Sequence, residues 1–192
     1  MIGSQLFEGE NVRFTAIDPE KDAMLHSTWM QDLRYADLQH NGTFHHLSVF
    51  EARNQFVNML KESAEKSNQF YFAIRKKKDE GLIGFVYLPE FSWSNGSVLM
   101  RLLIAENDDL HPYGREALDM ALVYIFHELN LYRVSMIVPE YNREMTELYE
   151  QAGFQLEVRM RDFCYRGGRH WDQLNYGCLL ADWQHKQAEV AQ

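Results

Sequence analysis

The sequence predicts an α/β fold class, namely a single domain in which α-helices flank a central, twisted, mixed β-sheet. Three observations support this prediction. The chain has 192 residues, which is about the length of one domain. Segments with the alternating apolar pattern of strands are interspersed with segments of helical spacing. No internal repeat or low-complexity linker divides the sequence.

Composition restricts the function classes. Hydrophobic residues make up 46% of the chain and charged residues 24%, as in a packed globular protein. The net charge of −9 argues against nucleic-acid binding, which needs clustered lysine and arginine. Two lone cysteines, Cys164 and Cys178, form neither a disulfide framework nor a metal-binding pair. We therefore expect a cytoplasmic protein with no metal, no nucleic-acid partner and no membrane segment.

The residue pattern of the N-terminal half predicts one strand, two helices and a hairpin. Residues 12–17 are apolar at alternate positions, as a half-buried strand requires. Asp18 and Pro19 suit the start of a helix, and Ser48 can cap the next one. The predicted elements are strand 12–17, helix 20–33, loop 38–48, helix 48–66 and hairpin strands 70–74 and 82–88.

The residue pattern of the C-terminal half predicts a buried central strand, then a helix, a strand, a second helix and a hairpin. Residues 98–105 are nearly all apolar and fit a strand that is buried on both faces. Gly153 is placed to end a helix as its C′ residue. The predicted elements are strand 98–105, helix 114–129, strand 133–138, helix 142–152, hairpin strands 154–165 and 171–180, and a fraying polar tail from Gln184.

An anion site is predicted where the central strand leads into a helix. The connection 106–113 precedes a helix that is predicted to begin near Gly114, with His111 and Arg115 in the same stretch. A helix N-terminus offers free backbone N–H groups and the positive end of the helix dipole. Spacing alone makes this a weak signal, because one glycine is common in strand–helix connections.

Two segments resemble signatures of the GNAT superfamily of N-acetyltransferases. Tyr113-Gly114-Arg115-Glu116-Ala117-Leu118 looks like the loop that binds the pyrophosphate of acyl-CoA. The segment 142–154 is similar to the second signature, an asparagine followed by a helix that carries Leu-Tyr-Glu and ends in Gly-Phe. The resemblance covers residues 5–183, taken as one GNAT domain, and leaves 184–192 as a polar tail.

Two segments near the ends of the chain resemble one branch of this superfamily. Residues 6–14 and the hairpin segment 165–172 are similar to the branch that acetylates ribosomal-protein N-termini, the ribosomal-protein-alanine N-acetyltransferase (RimJ/RimL-like) branch, and to its small-molecule relatives. The resemblance implies direct transfer of an acetyl group from acetyl-CoA to a primary amine in a ternary complex. The amine is a protein N-terminus or a small molecule. Pairing into homodimers is frequent among relatives and is a further expectation.

The resemblance also implies which residues bind the cofactor. Leu102, Leu103 and Ile104 lie on a strand similar to the one that splays from its neighbour and contacts the pantetheine arm. The connection and first helical turn form the pyrophosphate cradle. The residues expected to bind the cofactor are Leu102, Leu103, Ile104, His111, Tyr113, Gly114, Arg115, Asn142 and Tyr149.

Two residues are candidates for acid–base catalysis. Tyr149 matches the general acid that protonates the CoA sulfur, although its helical spacing fits a core aromatic equally well. Many relatives carry a glutamate near the position of Leu99, where it deprotonates the amine through water. Leu99 cannot do so. Glu90, on the connection before that strand, is a possible substitute base, and its alternative interpretation is a surface acid.

Three departures from the family pattern sustain a second interpretation. Pro112 stands at a position where the usual loop has glycine, and it has no N–H to offer a phosphate. Asp109 places a negative charge beside the phosphate site, and Leu99 removes the usual acid. The alternative to an enzyme is therefore a degenerate, non-catalytic GNAT module that binds acyl-CoA or another protein.

Overall fold

A mixed seven-stranded sheet forms the centre of the protein. The computed structural model describes residues 6–39, 45–66, 68–105 and 110–190. The strands are β1 (Val12–Thr15), β2 (Phe70–Lys76), β3 (Leu82–Ser92), β4 (Ser97–Ile104), β5 (Arg133–Pro139), β6 (Gln155–Arg166) and β7 (Arg169–Leu179). Their spatial order is β1-β2-β3-β4-β5-β7-β6, with β4 and β5 parallel and the other neighbours antiparallel. The predicted α/β fold with a mixed sheet is confirmed.

Six helices cover the two faces of this sheet over the described residues. Their bounds are α1 (Pro19–Trp29), α2 (Leu33–Gln39), α3 (Val49–Lys66), α4 (Arg115–Val123), α5 (Arg143–Gln151) and α6 (Leu180–Val190). Helix α4 is continued at both ends by π-helical turns, Leu110–Gly114 and Tyr124–Glu128. Asp18 caps α1 by accepting from the backbone N–H groups of Glu20 and Lys21.

The sheet separates two hydrophobic clusters. The larger cluster joins β4 and β5 to α4 and α5, and its buried side chains include Met100, Leu118 and Leu148. The smaller cluster joins β2, β3 and β4 to the first three helices, through residues such as Phe56 and Leu103. Since Leu103 and its neighbours on β4 are buried on opposite faces, β4 is the central strand that its apolar run predicts.

Strands β4 and β5 separate soon after they pair. Their ladder consists of Ser97 with Arg133, Val98 with Val134 and Leu99 with Ser135. Beyond Leu99, β4 continues to Ile104 and stays paired with β3 on its other side. The edge of β4 that faces β5 therefore offers unpaired backbone groups within the split. The expected splay of this strand is present.

A β-bulge changes the register between β3 and β4. Tyr87 pairs with Arg101, but Glu90 pairs with Leu99, so that Leu88 and Pro89 of β3 oppose one residue of β4. The extra residue reverses the alternation of faces along the rest of β3. It also carries β3 on to Ser92, four residues beyond the predicted end. Glu90 thus lies within a strand, which corrects its expected position on a connection.

Three helix boundaries differ from those expected. Helix α2 occupies residues expected in part as loop, because Asp32 accepts from the backbone N–H of Arg34 and starts a new helix after Trp29. The helix expected to begin near Gly114 begins one turn earlier, at Leu110. The tail expected to fray from Gln184 is helical to Val190.

The C-terminal helix is held by one buried aromatic residue. Trp183 is 5% exposed, and its ring packs against Phe126 and His127 at centroid distances of 5.4 and 5.1 Å. Polar composition predicted fraying, but this contact ties α6 to the end of α4. Among the described residues, no helix combines the length and apolar character needed to cross a bilayer.

Candidate active site

A cavity of about 210 Å³ opens at the end of the split between β4 and β5. Its wall combines the last residues of β4, the start of the helical segment at Leu110, the start of α5, and part of α2. The residues that line it are Arg34, Tyr35, Ile104, Ala105, Leu110, Tyr141, Asn142, Arg143, Glu144 and Met145. Of the residues predicted to bind the cofactor, Ile104 and Asn142 lie in this wall.

Asn142 fixes the start of α5 at the edge of the cavity. Its Oδ1 atom accepts a hydrogen bond from the backbone N–H of Met145 at 3.4 Å, which makes it the N-cap of the helix. The oxygen is used in capping, so the side-chain N–H groups can donate to a ligand in the cavity. Capping and ligand binding by Asn142 are therefore compatible.

Gly114 brings the first turn of the α4 region close to β4. A Cβ atom at this position would lie 2.9 Å from Leu110 Cδ1 and 3.3 Å from Ile104 Cγ1. A larger side chain would displace the side chain of Leu110 and crowd that of Ile104 on β4. Because the helix starts at Leu110, Pro112 falls in its first turn, where a backbone N–H has no partner within the helix. Pro112 therefore removes one donor from the turn without breaking the helix.

Two other residues of the predicted pyrophosphate cradle, Arg115 and Tyr113, have side chains that lie away from the cavity. Arg115 donates to Asp119 Oδ2 at 2.9 Å and so forms an ion pair along α4. The Tyr113 ring lies 4.9 Å from the ammonium of Lys76 and packs against the larger cluster. Neither side chain lines the cavity. The side chain of His111, and Asp109 as a whole, lie outside the described residues.

Two arginines at the cavity mouth were not identified from the sequence. Arg34 lies on α2, where its Nη2 atom is 2.6 Å from Asp32 Oδ2, and this carboxylate raises the pKa of the guanidinium. Arg143 follows Asn142 in the first turn of α5 and is exposed. These two cations share the cavity wall with Glu144, and Arg143 is the one of the two that is not paired with Asp32. Arg143 could have been found from its place beside Asn142, but no sequence signal connected Arg34 with the site.

Tyr149 is held rigidly in the larger cluster. Its ring, 2% exposed, packs against Phe154 and Tyr176 at centroid distances of 5.7 and 5.9 Å. The Phe154 N–H donates to the Tyr149 carbonyl at 3.0 Å, and Gly153, at φ +98°, completes the C-terminal turn. Burial raises the pKa of Tyr149 far above its ordinary value, so the phenol keeps its proton at neutral pH.

Glu90 stands directly across from Leu99 on the neighbouring strand. Directly opposed residues of an antiparallel pair have Cβ atoms about 4.5–5.5 Å apart. Glu90 is exposed and lies on the same face of the sheet as Leu99, because of the bulge. A carboxylate is thus present beside the vertex of the split, although it comes from β3 rather than β4.

The described residues contain no group of three His, Cys, Asp or Glu side chains placed to hold a metal ion. The polar groups near the split and its cavity are backbone groups of β4, the amide of Asn142, the guanidinium groups of Arg34 and Arg143, the phenol of Tyr149 and the carboxylate of Glu90. Such a set can bind an anionic ligand and transfer protons.

Comparison with known proteins identifies the family of this chain. The family model of the acetyltransferase (GNAT) domain matches residues 19–174. The SPbeta prophage-derived uncharacterized N-acetyltransferase YokL of Bacillus subtilis (strain 168) is 24% identical over 176 residues, covering 92% of this chain and 94% of that protein. Spermidine N(1)-acetyltransferase of Vibrio cholerae serotype O1 is 30% identical over 93 residues, 48% of this chain and 54% of that protein.

A solved structure shares the fold. The crystal structure of spermidine N-acetyltransferase from Vibrio cholerae in complex with CoA and spermine aligns with a TM-score of 0.76 at 20% identity. The alignment covers 91% of this chain and 98% of that chain. The chain therefore belongs to the GNAT acetyltransferase family and is an N-acetyltransferase.

Proposed function

We propose that the protein transfers the acetyl group of acetyl-CoA directly to a primary amine in a ternary complex. The observation that carries this proposal is the split beyond Leu99 and Ser135, which leads into a cavity beside Asn142 and the helical turn at Leu110. Free backbone groups along β4 suit the amide-rich pantetheine arm. Arg34 and Arg143 suit the phosphates at its other end.

The reaction requires that a proton is removed from the amine nitrogen and that a proton is supplied to the CoA sulfur. The amine nitrogen attacks the thioester carbonyl, the C–N bond forms and the C–S bond breaks, leaving a CoA thiolate. In our proposal Tyr149 gives its proton to the thiolate sulfur as the C–S bond breaks. Glu90 accepts the amine proton through water from its position across from Leu99.

The burial of both cysteine thiols favours direct transfer over an acetyl-enzyme intermediate on cysteine. Cys178 is fully buried, and burial raises the pKa of its thiol to about 12. Cys164 is also buried. A nucleophilic cysteine needs a thiolate that its substrate can reach, and Cys178 supplies neither the charge nor the access. The buried free thiols also support our proposal of a reducing, cytoplasmic location.

Calorimetry with acetyl-CoA, followed by an assay of CoA thiol release over a panel of primary amines, tests the proposal. We expect stoichiometric binding of acetyl-CoA and thiol release with at least one amine. The degenerate-module interpretation predicts binding without thiol release. Absence of acetyl-CoA binding, or ping-pong kinetics with a trapped acetyl-enzyme, would overturn the proposed mechanism.

We also propose that the protein forms a homodimer through β6. This strand is at the edge of the sheet and exposes Leu156, Val158 and Met160, which are 38–47% accessible to solvent. A long edge strand with exposed apolar side chains is an open surface for pairing with another strand. Sedimentation equilibrium should give a dimer for the parent and a monomer for Val158→Lys, and a monomeric parent would contradict the proposal.

The branch within the family is a further proposal. The hairpin formed by β6 and β7 carries the segment 165–172, which resembles the RimJ/RimL-like branch, and its turn has Gly167 and Gly168 at positive φ. A peptide with a free N-terminus belongs in the acceptor panel for this reason. Acetylation of such peptides in preference to small amines would support the branch assignment.

A further inference from the structure

The connection from β5 to α5 is held by the side chain of Glu140. The Glu140 N–H donates to the Asp172 carbonyl at 3.0 Å, which extends the pairing of β5 with β7 by one residue. In a regular antiparallel ladder the Asp172 N–H would donate to the Glu140 carbonyl in return. Here it donates to Glu140 Oε1, at 3.1 Å. Because the carboxylate replaces the backbone carbonyl as acceptor, the chain can leave the strand at this residue.

The chain turns into α5 directly after Glu140. The Asn142 N–H donates to the Pro139 carbonyl at 3.0 Å, so two residues separate the end of β5 from the N-cap of the helix. Tyr141 and Asn142 both line the cavity. The residue at which the chain leaves β5 therefore determines where the Asn142 amide lies in the cavity wall.

The Glu140 carboxylate is in turn held by β6. Its Oε2 atom is 2.9 Å from Arg159 Nη1, and the same nitrogen is 2.9 Å from Asp172 Oδ2. Asp172 Oδ1 accepts from the Asp162 N–H at 3.0 Å. One guanidinium thus bridges two carboxylates that would otherwise repel each other. Since both of its oxygens are bonded, the Glu140 side chain is held in one orientation.

An aromatic contact holds the same connection against β7. The Tyr141 ring packs edge to face on Trp171 at a centroid distance of 5.2 Å. The Arg169 guanidinium lies 3.3 Å from the centroid of the Trp171 ring, and Trp171 Nε1 donates to the Arg166 carbonyl at 3.1 Å. Two consecutive residues of β7 thus hold two consecutive residues of the connection.

We propose that Glu140 is a positioning residue for the binding of acetyl-CoA and acts through Asn142. This inference rests on the proposed function, in which the Asn142 amide contacts the cofactor. Glu140 is outside the cavity wall and contributes by ending β5 where the amide of Asn142 meets the cavity. Arg159 contributes by keeping the Glu140 carboxylate on the Asp172 N–H.

The sign of the effect distinguishes positioning from electrostatics. The phosphates of CoA are anionic, so removal of a nearby carboxylate would strengthen binding if charge alone acted. Positioning predicts weaker binding, because the Asn142 amide would lose its alignment with the cofactor. The loss of one hydrogen bond corresponds to about three- to tenfold in affinity.

Calorimetry with acetyl-CoA on variants of Glu140 tests the proposal. Glu140→Met keeps the side-chain length and removes both acceptor oxygens, so it should weaken binding about three- to tenfold. Glu140→Gln keeps an oxygen for the Asp172 N–H and should recover part of this loss. The matched control is Glu20→Met, which removes the same charge and an ion pair, with Arg53 at 2.5 Å, outside the cavity wall. Its affinity should stay within about twofold of the parent, because solvent screens an exposed charge.

A double-mutant cycle tests whether Glu140 acts through Asn142. Asn142→Ala alone should weaken acetyl-CoA binding by about the same factor as Glu140→Met. If the two residues act as one unit, Glu140→Met added to Asn142→Ala should cause less than about twofold further loss. Independent residues would instead multiply their losses. Urea denaturation verifies that each variant is folded.

The outcomes distinguish this inference from the function on which it rests. The inference is wrong, and the acetyltransferase proposal is unaffected, if Glu140→Met binds acetyl-CoA as tightly as the parent or if the two losses multiply. Glu140→Gln supplies the same comparison if Glu140→Met does not fold, and tighter binding than in the parent would contradict positioning. If the parent does not bind acetyl-CoA, the proposed function fails and the inference fails with it.

Discussion

Replacing the Tyr149 hydroxyl by hydrogen tests whether this residue is a general acid or a core aromatic. Tyr149→Phe keeps the ring and its contacts with Phe154 and Tyr176 at 5.7 and 5.9 Å. The free energy of unfolding should then change by no more than about 1 kcal/mol, the value of one hydroxyl contact. Loss of a positioned general acid lowers kcat by about 10²- to 10⁴-fold, or about 2.7–5.4 kcal/mol in the barrier.

The expected signature is therefore a large loss of turnover with little loss of stability. Turnover is measured by CoA thiol release at saturating acetyl-CoA, and stability by urea denaturation. Tyr176→Phe is the matched control on the neighbouring ring, since its hydroxyl donates to Glu150 Oε1 at 2.8 Å. That variant should lose about 1 kcal/mol of stability and keep its turnover. If Tyr149→Phe turns over within about twofold of the parent, Tyr149 is a core residue and the acid is elsewhere.

Three further predictions concern Glu90, Gly114 and His26. Glu90→Gln should lower kcat by about 10²-fold or more, because the amine would lose its proton acceptor. The control is Glu65→Gln on the exposed side of α3, which should leave kcat unchanged. Equal turnover in the two variants would make Glu90 a surface acid. Gly114→Ala should weaken acetyl-CoA binding about tenfold in calorimetry, because the new Cβ displaces the side chains of Leu110 and Ile104, which line the cavity. Unchanged affinity would separate this turn from the cofactor. Burial lowers the pKa of His26 to about 4, so the unfolded chain, with a pKa of 6.5, binds the proton first as the pH falls. The free energy of unfolding should drop by about 3 kcal/mol between pH 6.5 and pH 4, and His26→Gln should remove this slope.

Local sequence signals predicted the helix after Asn142 well. The stripe of Met145, Leu148 and Ala152 is buried as its spacing requires, with Asn142 at the helix start and Gly153 at its end. Each of these features is decided within about ten residues of chain, by helical periodicity and by the two ends of one helix. The general-acid role of Tyr149 is predicted from the family resemblance and stays a prediction, because its burial fits a core aromatic equally well.

Features that depend on neighbouring elements were not predictable in the same way. The split between β4 and β5 was expected from family resemblance, because apolar patterning gives no information on where a ladder ends. Helix α2 was missed because it is short, and the placement of Arg34 against the cavity depends on how α2 packs. The location of Glu90 depends on the pairing of two strands, which is a tertiary property.

The bulge at Leu88 and Pro89 decides which side chain of β3 faces the split. Side chains alternate between the two faces of a strand, so an unmatched residue exchanges the faces of everything that follows. If β3 continued from Tyr87 in regular alternation, Pro89 would stand across from Leu99, Glu90 would point into the larger cluster, and Phe91 would leave that cluster. Deleting Leu88 or Pro89 would instead close the bulge and leave Glu90 across from Leu99. The bulge is thus as much a determinant of the group beside Leu99 as the identity of the residue at position 90.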